Sequence, residues 1–180
     1  MDTAKVRQTP FWTGALVAVA ILFSFALACG MPFAALGALA ALTLSARDAA
    51  YLAGIGWLAN QAIGFGFLGY PLDAMTLAWG AALGLSALAA VGGATVALRR
   101  ARASGPVARA GIAFVGAWAA QQGAVLAASL VLGGLSTAFA PAVVWFIFWT
   151  NALAFAVLLG AQVLGARAGV ARPAFTQPAG

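Results

Sequence analysis

The sequence contains no histidine, one cysteine and only three acidic residues, Asp2, Asp48 and Asp73. Each shortage removes a class of function. Without imidazole there is no histidine-ligated metal enzyme and no membrane protease built on a Ser–His pair. Without a carboxylate in an apolar run, most proton pumps lack their relay. A lone cysteine forms no intramolecular disulfide. Charge as a whole is scarce, at 7% of 180 residues, where a soluble domain carries about a quarter. Hydrophobic residues make up 64% of the chain and the mean hydropathy is +1.03. Such a surface is incompatible with water, so the lipid bilayer is the solvent and the first partner.

In lipid every backbone polar group must be paired within the protein, which leaves helices or a closed barrel. The apolar runs here are long and unbroken, rich in Ala, Leu, Val, Gly and Phe. Barrel strands would alternate polar and apolar residues. The sequence therefore predicts an all-α, polytopic integral membrane protein of six transmembrane helices. Spans are expected at about Phe11–Cys29, Phe33–Ser45, Ala49–Leu68, Ala74–Leu98, Ala110–Leu132 and Pro141–Leu164. They form one transmembrane domain over residues 11–165, flanked by cytoplasmic tails at 1–10 and 166–180. The second span is short for a core of about 30 Å, which takes about 20 helical residues. It either starts deep within the protein or tilts with its neighbours. Arg47 and Asp48 read as a polar turn, and Pro71 as the breaker after the third span.

The net charge of +6 is not a nucleic-acid signal. With the N-terminus inside, Lys5, Arg7, Arg47, Arg99, Arg100, Arg102, Arg109, Arg167 and Arg172 all fall on the cytoplasmic side. The outer turns near residues 30, 70 and 135 carry no Lys or Arg and only Asp73. That distribution satisfies the positive-inside rule and places both termini in the cytoplasm of a bacterial-type inner membrane. A competing reading takes Ala26-Leu27-Ala28-Cys29 as a lipoprotein signal with Cys29 lipidated after cleavage. Cleavage would leave five spans and spoil the charge symmetry.

Polar residues inside a membrane are functional candidates by default. Here they are amides: Asn60 and Gln61 in the third span, Gln121 and Gln122 in the fifth, and Asn151 in the sixth. At about 1.5 Å per residue the first four sit near mid-bilayer and Asn151 slightly outward. They either tie helices together, at about 0.6 kcal/mol per bond, or line a ligand site. Adjacent amides point about 100° apart, so at most one of each pair faces a given site. Tyr70, Trp79, Trp145 and Trp149 lie toward the outer side, where an aromatic belt is the plain reading. Trp57 and Trp118 are deeper, as core or pocket wall. Asp73 reads as the N-cap of the fourth span. Cys29, at the outer end of the first span, is either a small inert hydrophobe or a soft ligand for a transition metal carried on an incoming substrate, with Met31 a second soft contact. Small residues four apart, Gly14/Ala18, Gly37/Ala41 and Gly80/Gly84, permit close helix approach.

Six helices in under 200 residues, termini inside, few charges and an outward polar and aromatic region resemble the substrate-binding (S) components of energy-coupling factor transporters. The resemblance covers the whole chain in plan. It implies capture of a vitamin or metal ion from outside, with uptake driven by a separate transmembrane subunit and ATPases. Gly14 and Ala18 are similar to the small residues through which that family's first helix meets the coupling subunit. The single Cys29 resembles the cobalt-ligating cysteine of the BtuM-type vitamin B12 transporters, which makes cobalamin the first candidate solute and Cys29 the ligand of its cobalt. Cobalamin would enter as substrate, with no intrinsic cofactor implied. No G-x-x-x-x-G-K-[ST] loop is present, so any ATP-derived energy comes from partners. The alternative is a structural or assembly subunit of a larger membrane complex, in which small residues and amides serve packing alone. A membrane enzyme is disfavoured, because nothing beside Cys29 would activate its thiol.

Overall fold

The computed structural model describes Gly14, Ala18, residues 31–101 and 105–171, and Pro173. Among these residues every regular element is helical. The expected first span, with Cys29, lies outside them apart from Gly14 and Ala18, which are helical and exposed. The helices are α1 (Phe33–Thr43), α2 (Ala46–Gly66), α3 (Ala74–Arg100), α4 (Pro106–Leu132), the single turn α5 (Leu135–Ala138) and α6 (Pro141–Arg167). Three of them, α3, α4 and α6, at 27 residues each, are long and apolar enough to cross a membrane. The protein is an all-helical membrane protein.

Local chemistry sets the boundaries. Ser45 caps α2, its Oγ accepting from the Asp48 N–H at 3.2 Å and donating to Asp48 Oδ2 at 2.8 Å. The expected polar turn at Arg47 and Asp48 is therefore the first turn of α2, which begins at Ala46 rather than Ala49. Asp73 caps α3 as expected, accepting from the Thr76 N–H at 2.8 Å. That bond holds its carboxyl below the usual carboxylate range. Prolines open α4 and α6 at the first helical position, where the missing N–H costs nothing. At the far end of α2 the chain folds back through Gly69 (φ 68°), with Tyr70 N–H donating to Gly64 O at 3.0 Å.

Helix α1 is the hub of the bundle. Ten of its 11 residues are buried, leaving only Ala41 partly exposed. It packs on α2, α3, α4 and α6. Because it has no polar face, it is a core element rather than a surface helix. At about 16 Å long, it fills only part of the depth of its 27-residue neighbours. Its C-terminus meets α2 through Leu44 and Ser45, beside Arg47. Antiparallel packing of α3 on α4 and of α4 on α6 brings Arg99, Arg100, Arg109 and Arg167 to that same end of the bundle, with Asp73 at the other.

The closest helix approach is α3 on α4. A Cβ on Gly93 would lie 2.4 Å from Gly116 O and from Ala120 Cβ, and one on Gly116 would lie 2.6 Å from Ala97 Cβ. This seam was not among the small-residue pairs expected from the sequence. Of those, Gly37 meets Ala90 and Val91, Gly80 meets Gln61, and Gly84 meets Trp57. Gly93→Ala drives a methyl into backbone and is expected to lower stability by about 1–3 kcal/mol. Gly92→Ala, where nothing lies within 4 Å, should leave stability unchanged or raise it. Thermal unfolding of the two detergent-solubilised variants checks the contrast, and equal midpoints would contradict the seam.

Candidate functional site

The buried start of α1 poses a problem of hydrogen bonding. The first N–H groups of any helix have no partner within it, and here they lie inside the protein. Ala34 N–H and Ala35 N–H both donate to Asn151 Oδ1 on α6, at 3.0 and 3.2 Å. Asn151 Nδ2 in turn donates to Ile147 O at 2.9 Å, which holds the carboxamide in place. Phe33 N–H reaches Met31 O and Leu36 N–H reaches Pro32 O, at 2.8 and 3.0 Å. All four orphan donors of α1 are thereby satisfied. Asn151, 2% exposed, acts as an N-cap supplied from another helix.

A cavity of about 140 Å³ lies between this capped terminus and the α4–α6 connection. Met31 and Phe33 line it at the start of α1, and Ala138 of α5 at the opposite end. Asn60 of α2 and Leu83 of α3 form one wall. Gln121, Gln122 and Val125 of α4 form another. Val143, Phe146, Ile147, Thr150 and Asn151 of α6 complete it. Gln121 and Asn151 each lie about three turns, roughly 15 Å, from the helix ends joined by α5. The cavity sits where α1 begins, between its first residues and the single turn α5.

Among the described residues, no charged side chain lines the cavity. The positive end of the α1 dipole faces it, with its N–H groups already engaged. One polar atom stands out. Gln121 is 6% exposed, and its Oε1 is buried with no hydrogen-bond partner. A buried carbonyl left this way carries a desolvation penalty of about 1–3 kcal/mol.

Five of the expected site residues thus border one space: Met31, Asn60, Gln121, Gln122 and Asn151. The others lie elsewhere. Gln61 lies over Gly80, where a Cβ would come 2.8 Å from its Oε1. Tyr70 packs its ring on Gly64 and stands edge-on to Phe65 at 6.2 Å. Trp79 is half-buried near Gly134. Trp118 stands edge-on to Phe148 at 5.4 Å, with its indole N–H buried and unpartnered. Trp145 is exposed and forms an aromatic pair with Trp149 at 5.5 Å, as an aromatic belt would. Trp57 is structural, its indole N–H donating to Gly80 O at 2.8 Å. Cys29, the expected cobalt ligand, lies outside the described residues, two positions before Met31. Sequence reasoning missed the apolar lining, Phe33, Leu83, Val125 and Phe146, because nothing in an apolar residue's type separates a cavity wall from a lipid face.

No protein-family model, curated protein or solved structure matches the chain.

Two substitutions in this site should move stability in opposite directions. Asn151→Leu strands two buried N–H groups and is expected to destabilise by about 1–3 kcal/mol for each. Gln121→Met keeps the volume, removes the unpaired carbonyl and should raise the unfolding midpoint of the ligand-free protein. Thermal scans in one detergent compare both, and a destabilised Gln121→Met would show that Oε1 has a partner in the protein.

Proposed function

We propose that the chain is a six-span, multi-pass protein of a bacterial-type inner membrane, with both termini in the cytoplasm, that captures a solute from the extracytoplasmic side for uptake. The observation that carries this reading is the amide-lined cavity in the half of the bundle remote from the arginine-bearing helix ends. If those ends are cytoplasmic, as the positive-inside rule requires, the cavity lies toward the outside, where a capture site belongs. The role is that of an S component of an energy-coupling factor transporter, which hands its solute to a coupling subunit with ATPases and performs no chemistry on it. Cobalamin is the first candidate, with Cys29 as the ligand of its cobalt and Met31 beside it.

Size constrains how such a solute would enter. Pockets for ligands of ordinary size run to about 300–1,000 Å³, above the 140 Å³ described here. A corrin therefore requires the outer connection to move aside. The connection between α4 and α6 holds Gly133 and Gly134 before α5, with φ of 86° and 82°, values that residues other than glycine rarely adopt, and the conformational freedom of glycine would permit such a movement.

The test is a visible absorption spectrum of the detergent-purified protein, wild type and Cys29→Ala, after incubation with cyanocobalamin and desalting. Retained corrin with a shifted spectrum in the wild type alone is the expected result. A colourless wild-type protein would remove cobalamin, and failure to retain any other vitamin in the same assay would favour an assembly subunit without its own ligand.

A further inference from the structure

We infer that the cavity takes a small neutral solute with a hydrogen-bond acceptor, a ketone or amide carbonyl on a compact apolar body, and that the Thr150 hydroxyl donates to it. This deepens the solute-capture reading and rests on it, but it does not require the solute to be a cobalamin.

Thr150 stands apart from four hydroxyls in the neighbouring helices. Thr43 of α1, Ser86 and Thr95 of α3 and Ser129 of α4 each donate to a carbonyl three or four residues back in their own helix, all at 2.8 Å. A helical hydroxyl with no water at hand is satisfied in that way. Thr150 is 7% exposed and lines the cavity, yet among the described residues its Oγ1 neither gives nor takes a hydrogen bond. That atom is not closed off, as Gln121 Oε1 is. The small surface that Thr150 keeps therefore includes its hydroxyl, and the space it borders is the cavity.

The surroundings define the guest. Buried donors are left unmet more rarely than acceptor lone pairs, so the hydrogen of Thr150 is the valence most in need of a partner. The positive end of α1 faces the same space and favours an acceptor oxygen there. No charged side chain among the described residues borders the cavity, so an ion would be buried without a counter-ion. The volume of about 140 Å³ is close to that of engineered cavities of ~150 Å³ that take a benzene ring. Phe33, Leu83, Val125 and Phe146 supply apolar contact, while Asn151 is committed to capping α1.

The experiment uses the full chain in detergent and isothermal titration calorimetry with two probes of one shape, cyclopentanone and methylenecyclopentane. Two ions of similar size, cyclopentylammonium and cyclopentanecarboxylate, complete the set. Each is measured on wild type, Thr150→Val and Thr150→Ser, so that partition of a probe into the micelle is common to the three proteins and drops out. Thr150→Val is expected to weaken cyclopentanone about fivefold, the worth of one net hydrogen bond, and to leave methylenecyclopentane unchanged or tighter. Thr150→Ser keeps the hydroxyl and should keep the ketone. Ligand-free Thr150→Val should unfold no earlier than wild type, because it loses no bond within the protein.

Equal cyclopentanone affinity in wild type and Thr150→Val would overturn the inference. So would the same loss in Thr150→Ser, or tighter binding of either ion than of the ketone. A lowered ligand-free midpoint in Thr150→Val would place the bond of the hydroxyl inside the protein, and no specific binding of any probe would leave the cavity to water; either result also sinks it. The outcomes separate from those of the corrin assay. A Thr150-dependent ketone contact in a protein that retains no corrin removes cobalamin and leaves the ligand class standing. Retained corrin without that contact does the reverse.

Discussion

The contact between Asn151 and the first turn of α1 is the constraint on which the rest of this structure depends. A helix that begins inside a membrane protein exposes donors where no water can reach them, and in hydrocarbon each would cost several kcal/mol. One carboxamide oxygen accepts two of those donors, and its own NH₂ is anchored one turn back on α6. This lets α1 be short and apolar on every side. Being short, it stops at the cavity lined by described residues of its neighbours; being apolar on every side, it packs against four helices at once. The capped terminus and the cavity are two aspects of one arrangement.

The amides of the core divide by what they bond to. Asn151 is fully committed to backbone. Gln121, at a similar depth on the neighbouring helix, lines the cavity, while its Oε1 is buried without a hydrogen-bond partner. The glycine seam between Gly93 and Gly116 works differently, since it contains no polar side chain and gains its attraction from backbone proximity. One pair of helices is thus welded while the space beside it is kept open.

Much of this was legible in the sequence. The helix positions follow from apolar runs punctuated by Pro71, Gly105-Pro106 and Pro141. Counting rise per residue placed Asn60, Gln121 and Asn151 at comparable depth, and all three border the cavity. The brevity of the Phe33–Ser45 run left two readings, a helix starting within the protein or one tilted with its neighbours, and the buried start at Phe33 favours the first. What one-dimensional reasoning could not supply was the direction each side chain faces. Adjacent amides sit about 100° apart on a helix, which led to the expectation that at most one of each pair faces a site. Asn60 lines the cavity without Gln61, but Gln121 and Gln122 both line it, because the cavity is wide enough to span that angle. Spacing-of-four patterns occur throughout a chain with 22 glycines. The pair that packs most tightly, Gly93 with Gly116, spans two helices and has no signature along the chain. Trp57 and Trp118 were equally ambiguous. A deep tryptophan announces burial, but whether its N–H finds a carbonyl, as Trp57 does at Gly80, depends on the neighbour's glycine.

The reach of the Asn151 contact has a consequence for synthesis. Ala34 and Asn151 are 117 positions apart, so while the ribosome is delivering α2, α3 and α4 the start of α1 has no cap. An 11-residue helix is also too short to be recognised as a membrane span by itself. The segment must therefore wait, held by its short connection to α2 and sheltered by its earlier neighbours, until α6 is inserted. The chain's first described helix is completed by its last, and a nascent protein truncated before residue 151 would leave its centre open to recognition by quality control.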